Sequence, residues 1–341
     1  MKQITYVYSI LVTVLLLFSA CNSNTISDNK IAPKTKSKNF NEFASVVNFM
    51  EKNVDFINSK PAPTLIDAKE VNDNLGNYLV IDIRGNKDYI AGHIDGAQNI
   101  SLGNLLNFMD NKVSTVNFKK IVLVCKTGQT AAYGTAILRF LGHRNVYSMK
   151  YGMTAWNPKF RQWHDAIGNK FSKKISYEAT PMDQPNQFPV LNTGEMEVYE
   201  IIHKRAQVLL DEGFNDVLIK VDKVMENPEA AYIINYWGEE HYNMGHLPGA
   251  VQYTPKKTLK INSKLKTIPS DKPVVVYCHT GQHSAFVVAY LRLLGYHAKS
   301  MAFGANSFMN KKMVEDPNLG NGFSNKMINN FQLITGKYPS N

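Results

Sequence analysis

The chain contains itself twice. The stretch VLVCKTGQTAAYGTAILRFLG recurs as VVYCHTGQHSAFVVAYLRLLG, which puts Cys125 and Cys278 at equivalent positions 153 residues apart. At that offset Gly92-His93 falls on Gly245-His246, Gly96-Ala97 on Gly249-Ala250, Leu65-Ile66 on Leu218-Ile219 and Gly142 on Gly295. One residue is then lost. Beyond that point Ser148-Met149 matches Ser300-Met301, Gly152 matches Gly304, and GNKFS at Gly168 matches GNGFS at Gly320. A chain of 341 residues is long for one hydrophobic core, and a duplication supplies two. The repeat divides the chain into units at 41–193 and 194–341.

Each unit has the same order of segments. An amphipathic helix leads, NEFASVVNFMEKNVDFI or EMEVYEIIHKRAQVLLDEG. Short strands follow at TLID or VLIK, at YLVIDI or AAYIINY, and at GAQNI or GAVQY. Next come the apolar run KIVLVC or PVVVYC, a helix ending at Gly142 or Gly295, and a last strand, NVYSM or AKSM. The two glycines stand where a helix end calls for positive φ. Strands alternating with helices predict an α/β fold, a parallel central sheet with helices on both faces in each unit.

The third cysteine, Cys21, closes a stretch of different character. Lys2 is followed by ITYVYSILVTVLLLFSAC: an apolar run short for a membrane span, then small Ser19 and Ala20 before the cysteine. The form resembles a bacterial lipoprotein signal, with residues 1–20 removed and Cys21 lipidated. An ordinary signal peptide and an uncleaved anchor are the alternatives. Residues 21–40 read as a polar, flexible tether. The expectation is a lipid-anchored, periplasm-facing protein of the bacterial cell envelope. Two remaining cysteines cannot build a disulfide scaffold, so the fold must stand on its core. A formal charge of +10 suits anionic substrates, an anionic membrane surface, or simply a solvated basic face. No dense Lys/Arg run with interleaved aromatics occurs, so nucleic acid is not an expected partner. No Cys-x-x-Cys or spaced His pair suggests a metal, and no cofactor is expected.

Each repeated cysteine ends a hydrophobic strand and opens a helix. Ligands of open α/β sheets sit beyond the carboxyl ends of the strands. The residues between cysteine and helix can turn their N–H groups inward, with Gly128 and Gly281 free to take positive φ. Such a nest at the positive end of a helix holds an anion. It also favours the thiolate, which is the nucleophile. The dipole alone contributes roughly 0.3–2 kcal/mol, so the loop amides must add to it. The expectation is an ionised thiol at both sites. Burial as small hydrophobes is the bland alternative. A Cys125–Cys278 disulfide is another, and would need Cα atoms within about 7 Å.

The residues VIDIRGNKDYIAGHIDGAQNI, CKTGQT and LRFLGHRNVYSMKYGMTAW of the first unit resemble the rhodanese family. So do YIINYWGEEHYNMGHLPGAVQY, CHTGQH and LRLLGYHAKSMAFGANSF of the second. The order Asp-x-Arg, Gly-His-Ile, Gly-Ala, Cys-x-x-Gly carries the resemblance over most of both units. It implies two tandem rhodanese-like domains and a sulfurtransferase in which the loop cysteine attacks a small anionic sulfur donor such as thiosulfate. The cysteine becomes a persulfide, and the sulfur passes to a thiol or cyanide acceptor. Cys125 would be the nucleophile, with Lys126, Thr127, Gly128, Gln129 and Thr130 as its substrate-binding loop. Cys278 would act likewise, with His279, Thr280, Gly281, Gln282 and His283. Asp82 and Arg84 match a family pair close to the active site. A salt bridge pinning a turn accounts for Asp82, while Arg84 is open between that pin and substrate binding. His93 and His246 read as structural. His279 and His283 are either exposed polar neighbours or cations raising thiol reactivity. The loops depart from family relatives that close with Arg, since Thr130 and His283 stand there. Ala131 and Ser284 follow, so the guanidinium clamp of phosphate chemistry is missing. Asn235 and Trp237 replace Asp82 and Arg84 in the second unit, which favours Cys125 as the more complete site. A non-enzymatic envelope carrier or sensor of sulfane sulfur is the alternative function, and a monomer the expected state.

Overall fold

The computed structural model describes residues 40–336, apart from 54 and 113–116. Cys21, the signal assigned to residues 1–20 and nearly all of the tether lie outside the described residues. The first unit runs α1 (Glu42–Asn53), β1 (Leu65–Ile66), α2 (Ala68–Asn72), β2 (Tyr78–Asp82), α3 (Asn86–Ala91), β3 (Gln98–Asn99), α4 (Leu105–Lys112), β4 (Lys120–Val124), α5 (Gln129–Phe140), β5 (Val146–Met149) and α6 (Met153–Trp156). The second runs α7 (Val198–Glu212), β6 (Leu218–Ile219), α8 (Val221–Glu226), β7 (Tyr232–Asn235), α9 (Glu239–Asn243), β8 (Val251–Gln252), β9 (Val274–Tyr277), α10 (Gln282–Leu293), β10 (Ala298–Met301) and α11 (Asn306–Glu315). Among the described residues two five-stranded parallel sheets form, in the orders β1-β5-β4-β2-β3 and β6-β10-β9-β7-β8. The duplication is therefore a duplication of topology, and the expected α/β class is the observed one.

The central strands β2 and β7 are buried along their whole length, because helices cover both faces of each sheet. Helix α1 turns Phe43, Val46, Val47 and Met50 inward, a three-and-four spacing that lays one stripe on the core. Helices α5 and α10 differ. From Ala131 to Leu138 and from Ala285 to Leu291 nearly every side chain is buried, on all sides of the helix. Each is packed between its own sheet and the other helix. Phe140 meets Phe286 edge-on and Tyr290 at a tilt, both at 5.9 Å between ring centroids. Full burial of one such ring contributes about 1.5–3 kcal/mol.

The unit ends are exchanged across this interface. Ser176, in the tail of the first unit, pairs antiparallel with His246 of the second, with N–H···O distances of 2.8 and 2.9 Å. Ile334, in the tail of the second, pairs with His93 of the first, both bonds 2.9 Å. Trp156 donates to Gln332 O at 2.9 Å. Each Gly-His motif thus receives the other unit's tail. Its imidazole is buried, stacked on Tyr89 or Tyr242, with Nδ1 2.9 Å from that tyrosine's carbonyl. The boundary drawn at 193/194 from the sequence marks the repeat, while the described residues belong to one compact body.

Candidate active site

Register places the cysteines. Asp82 lies beside Val124 on adjacent parallel strands, so the turn after β2 stands next to Cys125, the first residue beyond β4. Asn235 lies beside Tyr277 in the same way, ahead of Cys278. Gly128 and Gly281 adopt φ of 82° and 76°, the left-handed turn that lets the loop curl before α5 and α10 begin. The cysteine carbonyls accept the Met153 and Ala305 N–H groups at 2.9 Å each. With the carbonyls anchored, amides turn toward sulfur. Cys125 Sγ accepts from Gly128 N at 3.1 Å and Ala131 N at 3.3 Å. Cys278 Sγ accepts from Ser284 N at 3.3 Å. Both thiols are free, so the alternative of a disulfide between them falls.

The clefts above them are shared between units. The first, about 650 Å³, opens over Cys125, Arg84, Lys126, Thr127 and Thr130, and is closed from the second unit by Phe214, Asn215 and Phe303. The second, about 350 Å³, opens over Cys278, His279, Thr280 and His283, with Pro63, Leu65 and Lys150 of the first unit on its wall. Lys126 pairs with Asp88 at 2.9 Å, half exposed at the rim. Arg84 borders the first cleft but is committed below it. Its Nε and one Nη hold the Asp82 carboxylate at 2.5–3.1 Å, and that Nη also donates to Gly92 O at 2.7 Å. In the second unit Asn235 and Leu247 meet on the Tyr277 hydroxyl, at 2.9 and 3.0 Å, which replaces this charged pin by a neutral one.

Charge at the two sites differs from the sequence expectation. Burial pushes the Cys125 thiol above its ordinary pKa, and the amides of Ala131, Thr127 and Gly128 with the Thr130 side chain only partly offset it. The expected thiolate is corrected here: Cys125 is 4% exposed, and desolvation of the anion exceeds the pull of the nest. The imidazoles beside Cys278 fit neither alternative open in the sequence, being buried, neutral rings rather than exposed polar neighbours or cations. Burial first, then His241, holds His279 down to about 3. Burial first, then Lys256 and His279, does the same to His283, again to about 3. His279 stacks on Trp237 with centroids 4.5 Å apart and shares a hydrogen bond of 3.1 Å with His241. The bulk gained where Arg84 was lost therefore becomes the floor for a neutral imidazole. Because alkylation consumes thiolate, a raised pKa leaves less of it at neutral pH. The iodoacetamide rate at Cys125 is expected to inflect above the ~8.5 of a free cysteine. Peptide-resolved alkylation against pH measures it, and an inflection below that value would contradict the burial argument.

Gln129 and Gln282, expected in substrate binding, have buried side chains whose carbonyl oxygens reach the opposite unit, to Phe303 N at 2.7 Å and Tyr151 N at 2.8 Å. Sequence reasoning missed four contributors: Tyr151, Phe303, and the close-packed Gly152 and Gly304. The glycines carried a signal, since they coincide in the repeat.

Both units match a known protein family in sequence. The sequence model described as Rhodanese-like domain matches residues 67–159 and 220–311. A protein named thiosulfate sulfurtransferase GlpE of Pseudoalteromonas translucida is 33% identical over 98 residues, which cover 29% of this chain and 84% of that one. A protein named tRNA uridine(34) hydroxylase of Buchnera aphidicola is 30% identical over 108 residues, of which the match spans 34% of its length. Among solved structures, a thiosulfate sulfurtransferase from Pseudomonas aeruginosa aligns over 86% of this chain and 69% of its own, at 12% identity and a TM-score of 0.26.

Proposed function

The chain belongs to the rhodanese-like domain family, carrying the domain twice, and on that premise we propose that it transfers sulfane sulfur from a small anionic donor such as thiosulfate to a thiol or cyanide, through a persulfide on Cys125. The observation that carries the reading is the pair of amides, Gly128 of the loop and Ala131 of the first turn of α5, on Cys125 Sγ at the base of a 650 Å³ cleft. In the first step the sulfur of Cys125 attacks the outer sulfur of thiosulfate. A sulfur–sulfur bond forms, the donor's sulfur–sulfur bond breaks, and sulfite leaves with the thiol proton. In the second, an acceptor thiolate or cyanide attacks the outer sulfur and returns the electron pair to Cys125. The anion present throughout is stabilised by N–H groups of the loop and of the first turn of α5, which lack carbonyls four residues back. Lys126 at the rim, paired with Asp88, supplies positive charge to the approach.

Cys278 is the weaker candidate. Its sulfur takes one amide, from the first turn of α10, its cleft is about half as large, and its neighbours are neutral rings. The lipid-anchored envelope placement read from Cys21 belongs to the same proposal and is supported by the sequence alone.

Thiocyanate formation from thiosulfate and cyanide tests the enzyme reading. Turnover by the purified chain is expected. Persulfide on a cysteine without turnover would instead favour a sulfur carrier, and neither persulfide nor turnover would overturn the proposal.

A further inference from the structure

Each cysteine loop is fastened to the opposite unit by its own glutamine. Gln282, in the Cys278 loop, accepts the Tyr151 N–H at 2.8 Å. Gln129, in the Cys125 loop, accepts the Phe303 N–H at 2.7 Å. The donors fix the side-chain orientation, since only the carbonyl oxygen can face an N–H. Both glutamines are essentially unexposed. The crossing also explains why the loop glycines cannot be larger: a Cβ on Gly128 would lie 2.3 Å from Gln282 Oε1, and one on Gly281 2.4 Å from Gln129 Oε1.

The receiving residues lead straight to the opposite cysteine. Tyr151 and Phe303 sit at φ of 61° and 60°, unusual for aromatic side chains and held only where neighbours over-determine them. Each precedes a glycine packed on a cysteine carbonyl, where a Cβ would stand 2.3 Å from Cys125 O or 2.2 Å from Cys278 O. The next N–H, of Met153 or Ala305, bonds that same carbonyl at 2.9 Å. From Gln282 to the Cys125 carbonyl the path is therefore one hydrogen bond, two peptide units and a second hydrogen bond. Gln129 also binds Thr127 Oγ1 in its own loop at 3.1 Å, whereas Gln282 Nε2 has no partner. The bond to Tyr151 is thus the one polar contact the Gln282 side chain makes among the described residues.

The geometry points to positioning in trans: Gln282 sets the Cys125 loop, and Gln129 sets the Cys278 loop. Removing the acceptor orphans a buried N–H in a strained residue, and the segment behind the opposite cysteine relaxes to satisfy it. The inference relies on the sulfur-transfer reading only for calling these cysteines functional; the coupling itself is a property of the two thiols.

The test is peptide-resolved alkylation by iodoacetamide, followed against pH in the full chain and in Gln282→Met, Gln282→Glu and Gln129→Met. Gln282→Met is expected to change the Cys125 rate by about fivefold and move its pH inflection, with Cys278 held within about twofold, the scale of one lost hydrogen bond. Gln129→Met is expected to change the Cys278 rate by about fivefold and move its pH inflection, with a smaller effect at Cys125 through the lost bond to Thr127. Gln282→Glu keeps an acceptor oxygen and is expected to return Cys125 toward the parent rate. An effect of Gln282→Met confined to Cys278, equal at both cysteines, or absent from both would overturn the inference. Should Gln282→Met lose cooperative unfolding, Gln129→Met carries the same test with the cysteines exchanged. Alkylation reads thiol chemistry and is indifferent to whether sulfur is transferred, so failure here and failure of the sulfur-transfer reading are told apart.

Discussion

Replacing Cys125 with Ser is expected to lower thiocyanate formation by on the order of 10³-fold or more, the scale on which loss of a covalent nucleophile is felt. The hydroxyl would keep the position and the hydrogen bonds from Gly128 and Ala131 while losing the ability to hold a second sulfur. Cys278→Ser is expected to cost far less, because its cleft is smaller and carries one amide on sulfur. Steady-state rates of the two single variants and the double variant, with circular dichroism to check the fold, settle the assignment. Equal losses in the single variants would mean that the sites work as a pair. Loss only with Cys278→Ser would reverse the roles proposed for the two cysteines.

Gly152→Ala is expected to damage the first site through its backbone. The added Cβ would stand 2.3 Å from Cys125 O, 2.7 Å from Gly128 N and 2.7 Å from Lys126 C, at φ +59°. All three neighbours are main chain and none can swing aside. Strain and overpacking together are expected to cost about 3 kcal/mol or more. Gly96→Ala is the control: φ is +72° but nothing lies within 4 Å, so only the conformational cost of about 1 kcal/mol is expected. Denaturant midpoints of the two variants, with the wild-type slope, compare them. Similar midpoints would mean that the contact behind Cys125 is looser than the structure has it.

The repeat made most of the architecture legible. A 153-residue offset aligning two strand–cysteine–glycine–helix segments requires two copies of one topology. The apolar runs KIVLV and VVVY are buried strands because they are continuous, as interior parallel strands must be. Gly128 and Gly281 were readable as left-handed turns from their place between strand and helix. What crosses between units was not legible. Gln129 and Gln282 look like loop residues in sequence, and nothing local says that their partners are Phe303 and Tyr151, 174 and 131 positions away. The tail exchange is hidden for the same reason, since pairing of Ser176 with His246 and Ile334 with His93 depends on how two finished units meet.

The protonation of the site escaped the sequence through a competition of opposed effects. Loop amides and the helix end pull the thiol down, burial pushes it up, and composition does not say how deep the sulfur lies. The same holds for His279 and His283, whose neighbours in sequence are polar but whose neighbours in space are Trp237 and Tyr236. Lys126, a loop residue in sequence, gains a partner in Asp88 that nothing local announces.

The central claim is that Cys125, at the end of its strand and among inward amides, takes up one sulfur and gives it away. Mass measurement of the Cys125 peptide tests it most directly, before thiosulfate, after it, and after a further addition of acceptor thiol. The account predicts a gain of one sulfur atom on that peptide, then its loss with the sulfur recovered on the acceptor. An unchanged Cys125 peptide at every stage, or sulfur gained on Cys278 alone, would contradict it.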